Sequence, residues 1–168
     1  DFENILPKFK DITSQNEKIA VIFNFVKSKV KWNEYNSIYC NGGVKKAYKE
    51  NTGNVAEINL MLTAMLRYAK IDANPVLIST RSNGIALFPN TTAYNYVIAA
   101  VEIENDLILL DATNKNALPN ILPTRDLNWV GRMIRKDGTS ASVDLMPKTL
   151  SNDFTNIIPL LHMILAFV

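Results

Sequence analysis

The chain has 168 residues, of which 48% are hydrophobic and 20% charged, a composition typical of one globular domain with its own core. The net charge of +2 is too small to indicate binding to nucleic acid or to an anionic membrane, and no apolar run is long enough to predict a membrane span. One cysteine and one histidine exclude an internal disulfide framework, a cysteine-based zinc site and a histidine-rich metal site, so we expect no metal and no cofactor.

The first part of the chain predicts helices. Ser14 and Glu17 fit a capping box, and apolar residues then recur at helical spacing, so residues 15–31 predict an amphipathic helix. Residues 32–43 predict a loop, and residues 44–50 predict a short second helix.

A third helix is the most informative element. A turn at residues 51–53 leads to Asn54, a favourable N-cap, and to a helix predicted over residues 55–70. Glu57 in its first turn places a negative charge where the helix dipole favours one. Apolar residues cover most of the helix surface, so we expect it to be the buried central helix of the domain.

The second part of the chain predicts an antiparallel sheet. We expect five strands, over residues 75–80, 94–102, 107–110, 129–135 and 142–145. A turn at Asn105 and Asp106 joins the second and third strands, and a Lys-Asp-Gly turn at residues 136–138 joins the last two. Helices followed by antiparallel strands predict an α+β fold, with N-terminal helices and a buried central helix packed on the sheet.

We expect residues 1–150 to form this domain. Residues 151–168 predict a separate apolar tail, either an artificial boundary of the sequence or the start of a further segment. The sequence starts at Asp1 and has no signal-peptide pattern, so we expect a processed product or a piece of a longer protein.

Three short segments carry a family resemblance. They are Gly-Asn-Val-Ala-Glu at residues 53–57, Tyr-Asn-Tyr-Val-Ile at residues 94–98 and Leu-Leu-Asp-Ala-Thr at residues 109–113. Together with the connecting residues 73–82 they resemble the transglutaminase-like domain of the papain-like cysteine protease superfamily, of the type found in Bacteroidetes multidomain proteins. The resemblance covers residues 15–135 and implies a papain-like core.

The family's catalytic residues are a cysteine opening the central helix, a histidine on a strand and an aspartate on the next strand. A helix N-terminus favours the thiolate, the imidazole accepts a proton, and the carboxylate orients the imidazole. Carried over to this sequence, these positions are Val55, Tyr96 and Asp111. A shift of one or two residues would place the histidine position at Asn95 or Tyr94 instead. The resemblance therefore implies a degenerate triad, with no catalytic set intact.

Four further residues are candidates for lining a cleft at these positions: Asn59, Asn95, Arg81 and Trp129. A surface loop and one core tryptophan are the simpler interpretation of Arg81 and Trp129. Asn59, inside an apolar helix, must find hydrogen-bond partners, and we expect them on the strand that carries Asn95 or at the triad positions.

These observations favour a non-catalytic domain that serves as a scaffold or as a peptide- or glycan-binding module. By the resemblance, it would belong to a larger bacterial protein that is periplasmic or otherwise exported, with other domains of that protein as partners. An active cysteine hydrolase or acyltransferase with Cys40 as a relocated nucleophile is the alternative, and it requires a base within hydrogen-bonding reach of Cys40. The order of Cys40 and His162 resembles that of thiol proteases, but a loop thiol and a tail histidine are the simpler interpretation. A domain that only spaces its neighbours is a third interpretation.

Overall fold

Ser14 begins the first helix, α1 (Gln15–Lys29), because its hydroxyl accepts a hydrogen bond from the Glu17 N–H at 3.4 Å. In this computed structural model, residues 12–88, 92–104 and 106–147 are described. The return bond of a capping box, from the Ser14 N–H to the Glu17 carboxylate, is absent within these ranges. The predicted tail over residues 151–168 and the domain boundary at residue 150 lie outside them.

Two further helices follow, α2 (Val44–Glu50) and α3 (Val55–Tyr68). A complete capping box begins α3: Asn54 accepts from the Glu57 N–H at 2.9 Å, and the Glu57 carboxylate accepts from the Asn54 N–H at 2.9 Å. Most side chains of α3 are buried, so the expectation of a central buried helix is confirmed. Each fully buried leucine or isoleucine in it stabilises the fold by about 1.5–3 kcal/mol.

Five strands form an antiparallel sheet: β3 (Ala73–Ile78), β4 (Tyr96–Ile103), β5 (Asp106–Leu110), β6 (Val130–Ile134) and β7 (Ser140–Asp144). Their order across the sheet is β5-β4-β3-β6-β7. The register pairs Ile78 with Tyr96 and Ala99 with Leu110. The α+β prediction is confirmed, and the strand predictions are correct within a few residues at each end.

One small sheet was not predicted. β1 (Lys31–Trp32) pairs in parallel with β2 (Thr52–Gly53). The last residue of the predicted first helix, the first residue of the predicted loop and part of the predicted turn before α3 are therefore strand. Two-residue strands leave no alternating pattern in the sequence, and their pairing depends on contacts between distant segments. The pair fixes the entry to α3 beside the exit from α1.

The helices pack on one face of the five-stranded sheet. α3 contacts β4 and β3, and α1 packs against α3. The sheet curls, and a second apolar cluster covers its other face, so that the first six residues of β4 are buried. Gly131 allows β6 to approach β3 closely, since a Cβ there would lie 2.7 Å from Val76 Cγ1 and 2.9 Å from Ile78 Cγ2.

Within the described ranges, the structure has no helix that is both long enough and apolar enough to cross a membrane.

Candidate functional site

Val55 is the first residue of α3, and its side chain is fully buried. Its N–H donates to the Tyr35 carbonyl at 3.3 Å, which holds the loop after β1 against the helix start. Gly53 has no room for a side chain, because a Cβ there would lie 2.9 Å from Ala47 Cβ and 3.1 Å from Glu57 Oε2. The first turn of α3, where the family resemblance predicts a nucleophile, therefore carries a buried valine, which has no reactive atom.

Glu57 organises the loop in front of this helix. Its Oε1 accepts hydrogen bonds from the N–H groups of Gly42 at 2.7 Å and Gly43 at 3.0 Å. Burial raises the pKa of Glu57, but hydrogen bonds from backbone N–H groups lower it by more than burial raises it. The pKa of Glu57 therefore lies below its ordinary value. The carboxylate is therefore charged at neutral pH, and the predicted role of Glu57 at the helix start is confirmed.

Tyr96 and Asp111 meet across neighbouring strands. Tyr96 is the first residue of β4, Asp111 directly follows β5, and both side chains are buried. The Tyr96 hydroxyl donates to Asp111 Oδ2 at 3.0 Å. Burial, followed by the negative charges of Asp111 and Asp126, raises the pKa of Tyr96 well above its ordinary value. The phenol is thus a hydrogen-bond donor and cannot act as a base near neutral pH.

Asp111 accepts four further hydrogen bonds. Oδ1 accepts from Asn59 Nδ2 at 2.9 Å and from the Thr113 N–H at 3.1 Å. Oδ2 accepts from Thr113 Oγ1 at 2.8 Å and from Arg125 Nη2 at 3.1 Å. Since a carboxylate offers about four lone-pair sites, this acceptor set is full.

Asn59 joins α3 to both strands. Its Nδ2 also donates to the Val97 carbonyl at 2.9 Å, and its Oδ1 accepts from the Ala112 N–H at 2.9 Å. The expectation that Asn59 bonds either the strand after Asn95 or the triad positions is met, because it bonds both. The side chain is fully buried and belongs to this network, so it does not line an open cleft.

Arg125 closes the network from the surface side. Its Nη2 donates to the Tyr96 hydroxyl at 2.9 Å and to Thr113 Oγ1 at 2.8 Å, in addition to Asp111. Its guanidinium carbon lies 4.7 Å from the centre of the Trp32 ring and 5.4 Å from that of Tyr96. Such contacts between a cation and an aromatic face add to the hydrogen bonds in holding Arg125 in place.

Asp126 is fully buried beside Arg125. Its Oδ1 lies 3.6 Å from Arg125 Nε, too far for a hydrogen bond, and neither carboxyl oxygen accepts a hydrogen bond from the described residues. Burial, and then the negative charge of Asp111, raise the pKa of Asp126 to about 8. The raised pKa favours the protonated form of Asp126 in the interior, where the single charges of Arg125 and Asp111 already balance.

The other three predicted cleft residues lie elsewhere. Asn95 bonds Thr80 twice, through Oδ1 from the Thr80 N–H at 2.9 Å and through Nδ2 to Oγ1 at 2.9 Å. Arg81 is exposed and donates to the Leu127 carbonyl at 2.8 Å, and Trp129 is 53% exposed, so it is not the core tryptophan of the simpler interpretation. Within the described ranges, no hydrogen bond joins any two of the four candidates.

A groove with a volume of about 360 Å³ lies on the solvent side of this network and shares Arg125 and Thr113 with it. It runs between the end of α1 and the loop after β5, and it is lined by four cationic side chains, those of Lys27, Lys31, Lys115 and Arg125. We call it the basic groove. Trp32, Thr113, Glu34 and other residues complete its walls, so it is the accessible side of the Asp111 network.

Sequence reasoning did not single out Arg125, Asp126 or Trp32. The two charged residues lie in a proline-bearing loop whose path is set by contacts with β4 and β5. An adjacent Arg-Asp pair after a proline is common, and nothing local distinguishes a buried pair from a solvated one. Their signal exists only once Tyr96 and Asp111 have been brought together.

Cys40 is the only cysteine, and it lies half-buried in the loop before α2. Burial, and then the negative charge of Glu57, raise the pKa of the thiol. His162, the only histidine of the sequence, lies outside the described residues. Among the residues described, no group of three or more His, Cys, Asp or Glu side chains is arranged to hold a metal ion.

A protein family and a solved structure are similar to this chain. A family model described as the transglutaminase-like superfamily matches residues 5–112. The match includes Val55, Tyr96 and Asp111 and ends before Arg125 and Asp126. No curated protein matches the chain.

A solved structure from Parabacteroides distasonis, described as a "putative protease", is similar to this chain. The TM-score is 0.58 at 13% sequence identity, and the alignment covers 83% of this chain. This chain spans 26% of the length of that protein. At this identity the likeness concerns the fold alone.

Proposed function

The chain belongs to the transglutaminase-like superfamily, and we propose that it is a non-catalytic member that serves as a scaffold or as a peptide- or glycan-binding module. We place it, by the same proposal, in a larger bacterial protein that is exported to the periplasm or cell envelope. The other domains of that protein would be its neighbours.

The observation that carries the proposal is the hydrogen bond from the Tyr96 hydroxyl to Asp111 Oδ2 at 3.0 Å. In a cysteine enzyme of this type the aspartate must accept from an imidazole that in turn faces a thiol. Here the aspartate accepts from a protonated phenol, and the helix start carries Val55. A valine has no atom that can attack a carbonyl, so the site lacks both the nucleophile and the base that the family's chemistry uses.

The alternative, catalysis by Cys40, receives little support from the site. A nucleophilic cysteine needs a lowered pKa and a base within about 3.2 Å. The pKa of Cys40 is raised, first by burial and then by the negative charge of Glu57, and both disfavour the thiolate. A spacer without any ligand is the other competing function, and the open basic groove argues against it.

The test is an assay of the full chain for peptide hydrolysis and for acyl transfer from glutamine to an amine. We expect no turnover above that of buffer. Turnover that disappears in Cys40→Ser would establish the alternative, and turnover that disappears in a folded Asp111→Ala variant would show that the degenerate site still works. Either result overturns the proposal.

Labelling of the single thiol gives an independent measurement. With a raised pKa, Cys40 should react with iodoacetamide slowly at pH 6 and faster as the pH rises above 8. Fast alkylation at pH 6 would show an activated thiolate and would favour catalysis by Cys40.

A further inference from the structure

We infer that the basic groove binds an extended acidic peptide, which pairs with the open edge of β1 and places a carboxylate among Lys31, Lys115 and Arg125. This inference rests on the proposed function, because it names the ligand of the module. Three features of the groove lead to it: its charge, its single aromatic ring and the strand that forms its wall.

The charge of the lining favours an anion. Four cationic side chains face one carboxylate, that of Glu34. Lys27 is committed elsewhere, since its Nζ donates to the Ala117 carbonyl at 2.6 Å and lies 4.4 Å from the centre of the Phe23 ring. Lys31 and Lys115 are exposed and form no ion pair within the described chain. They are therefore free to meet a carboxylate.

The aromatic ring favours a peptide over a sugar. A sugar ring would need a free aromatic face on which to stack. Trp32 is the aromatic residue of the groove lining, and the Arg125 guanidinium already covers one of its faces at 4.7 Å. Its indole N–H is also engaged, since it donates to the Tyr35 carbonyl at 3.3 Å. The groove thus offers cationic side chains and a Trp32 ring that has one face covered by Arg125 and its N–H already bonded.

The strand favours an extended main chain. The N–H groups of Lys31 and Asn33 donate to β2 and its approach, at the carbonyls of Asn51 and Gly53. Because alternate residues of a strand direct their main-chain groups to opposite sides, the N–H and C=O of Trp32 point away from β2. Outside the β1–β2 pair, the described part of the chain forms no hydrogen bond to either group. A peptide strand added at this edge would bond both groups, as in other cases of strand addition.

The size of the groove agrees with a short contact. Its volume of about 360 Å³ lies at the low end of ligand sites, which span about 300–1,000 Å³. One acidic residue and the main chain beside it would occupy such a groove. Exposed ion pairs supply modest energy, so we expect weak binding that falls as salt is added.

The test measures, by titration calorimetry, the binding of an acetylated, amidated Ser-Glu-Ser-Glu-Ser-Glu peptide to the full chain. The double variant Lys31→Glu with Lys115→Glu should weaken binding by about tenfold. The matched control, Lys45→Glu with Lys136→Glu, makes the same charge change at two exposed lysines outside the groove. The control should change binding by less than about twofold.

Two further arms test the geometry. Glu34→Gln removes the opposing carboxylate and should strengthen binding, a gain that misfolding cannot produce. Peptides that are N-methylated at alternate residues, in each of the two registers, should bind unequally, because only one register removes a bond to the Trp32 carbonyl.

Several outcomes would overturn the inference: equal weakening by both double variants, equal binding of both N-methylated peptides, or tighter binding of oligogalacturonate than of the peptide. None of these would touch the non-catalytic proposal. Conversely, cleavage of the bound peptide would overturn the non-catalytic proposal and leave the binding site in place.

Discussion

Two clusters built from similar chemical groups lie at opposite ends of β4. At its start, Arg125 bonds Asp111 at 3.1 Å, and Asn59 bonds the same carboxylate. Near its end, Arg135 bonds Glu102 through two nitrogens at 2.9 Å each, and Asn74 bonds the same carboxylate at 3.0 Å. Judged by distance alone, the Arg135–Glu102 pair is the stronger ion pair.

Burial separates the two clusters. The Asp111 side chain is 1% exposed, whereas those of Glu102 and Arg135 are 28% and 34% exposed. If its partner were lost, Glu102 would be hydrated, but Asp111 would stay in the interior with an uncompensated charge. Loss of one partner is therefore expected to cost more at the buried Asp111 pair than at the shorter, more exposed Glu102 pair.

The largest expected effect comes from removing each arginine in turn. Arg125→Leu should lower the free energy of unfolding by about 3–5 kcal/mol, because it leaves the Asp111 carboxylate buried and unpaired. Arg135→Leu, the matched control, should cost far less, since water replaces the arginine at Glu102. Urea denaturation at pH 7 measures both. Equal losses of unfolding free energy in the two variants would show that burial does not distinguish the two ion pairs.

The second effect concerns pH. The pKa of Asp126 is raised to about 8 in the folded protein, against about 3.9 when unfolded. Below pH 4 the group is protonated in both states and costs nothing. As the pH rises towards 8, only the unfolded state releases the proton, so stability is lost across this window.

Asp126→Asn should remove that loss and stabilise the protein at pH 8 by on the order of 2–4 kcal/mol. Denaturation curves between pH 5 and 8 provide the measurement, with Asp144→Asn, at an exposed aspartate, as the control. A wild-type stability that rises steadily through this window, with Asp126→Asn less stable at pH 8, would show that Asp126 is ionised in the folded state.

The smallest effect is expected at the exposed pair. Glu102→Gln should lower Tm by about 2 °C or less at low salt. The Arg135 hydrogen bonds lower the pKa of Glu102, so its contribution is present at pH 7 and is lost as the pH falls through that pKa. In about 1 M salt the difference from wild type should vanish. A larger, salt-independent loss would mean that this pair is less solvated than its exposure indicates.

The sequence predicts what depends on local patterns. The alternation and spacing of apolar residues define the helices and the five main strands, and Asn54 with Glu57 marks the start of α3. The segments around Val55, Tyr96 and Asp111 identify the family, which the family model confirms. The start of β3 was predicted two residues late, because Ala73 and Asn74 lack the β-branched side chains typical of strands.

The rest depends on residues that are distant in the chain. The parallel pairing of β1 with β2 follows from how α1 and α3 pack, which no local pattern records. Arg125 reaches Asp111 only because its loop crosses the ends of β4 and β5, and Asp126 is buried as a consequence. The predicted cleft residues Arg81 and Trp129 are exposed but lie apart from this network, because adjacency to a strand end does not determine direction.

The full set of donors around Asp111 also constrains how this domain can evolve. Substitution of Asp111 would leave donors of Asn59, Thr113 and Arg125 without their acceptor in a single step. Substitution of one donor would instead leave a buried carboxylate short of a partner. Single changes are therefore costly in either direction, and we expect these positions to vary among relatives as a set rather than one at a time.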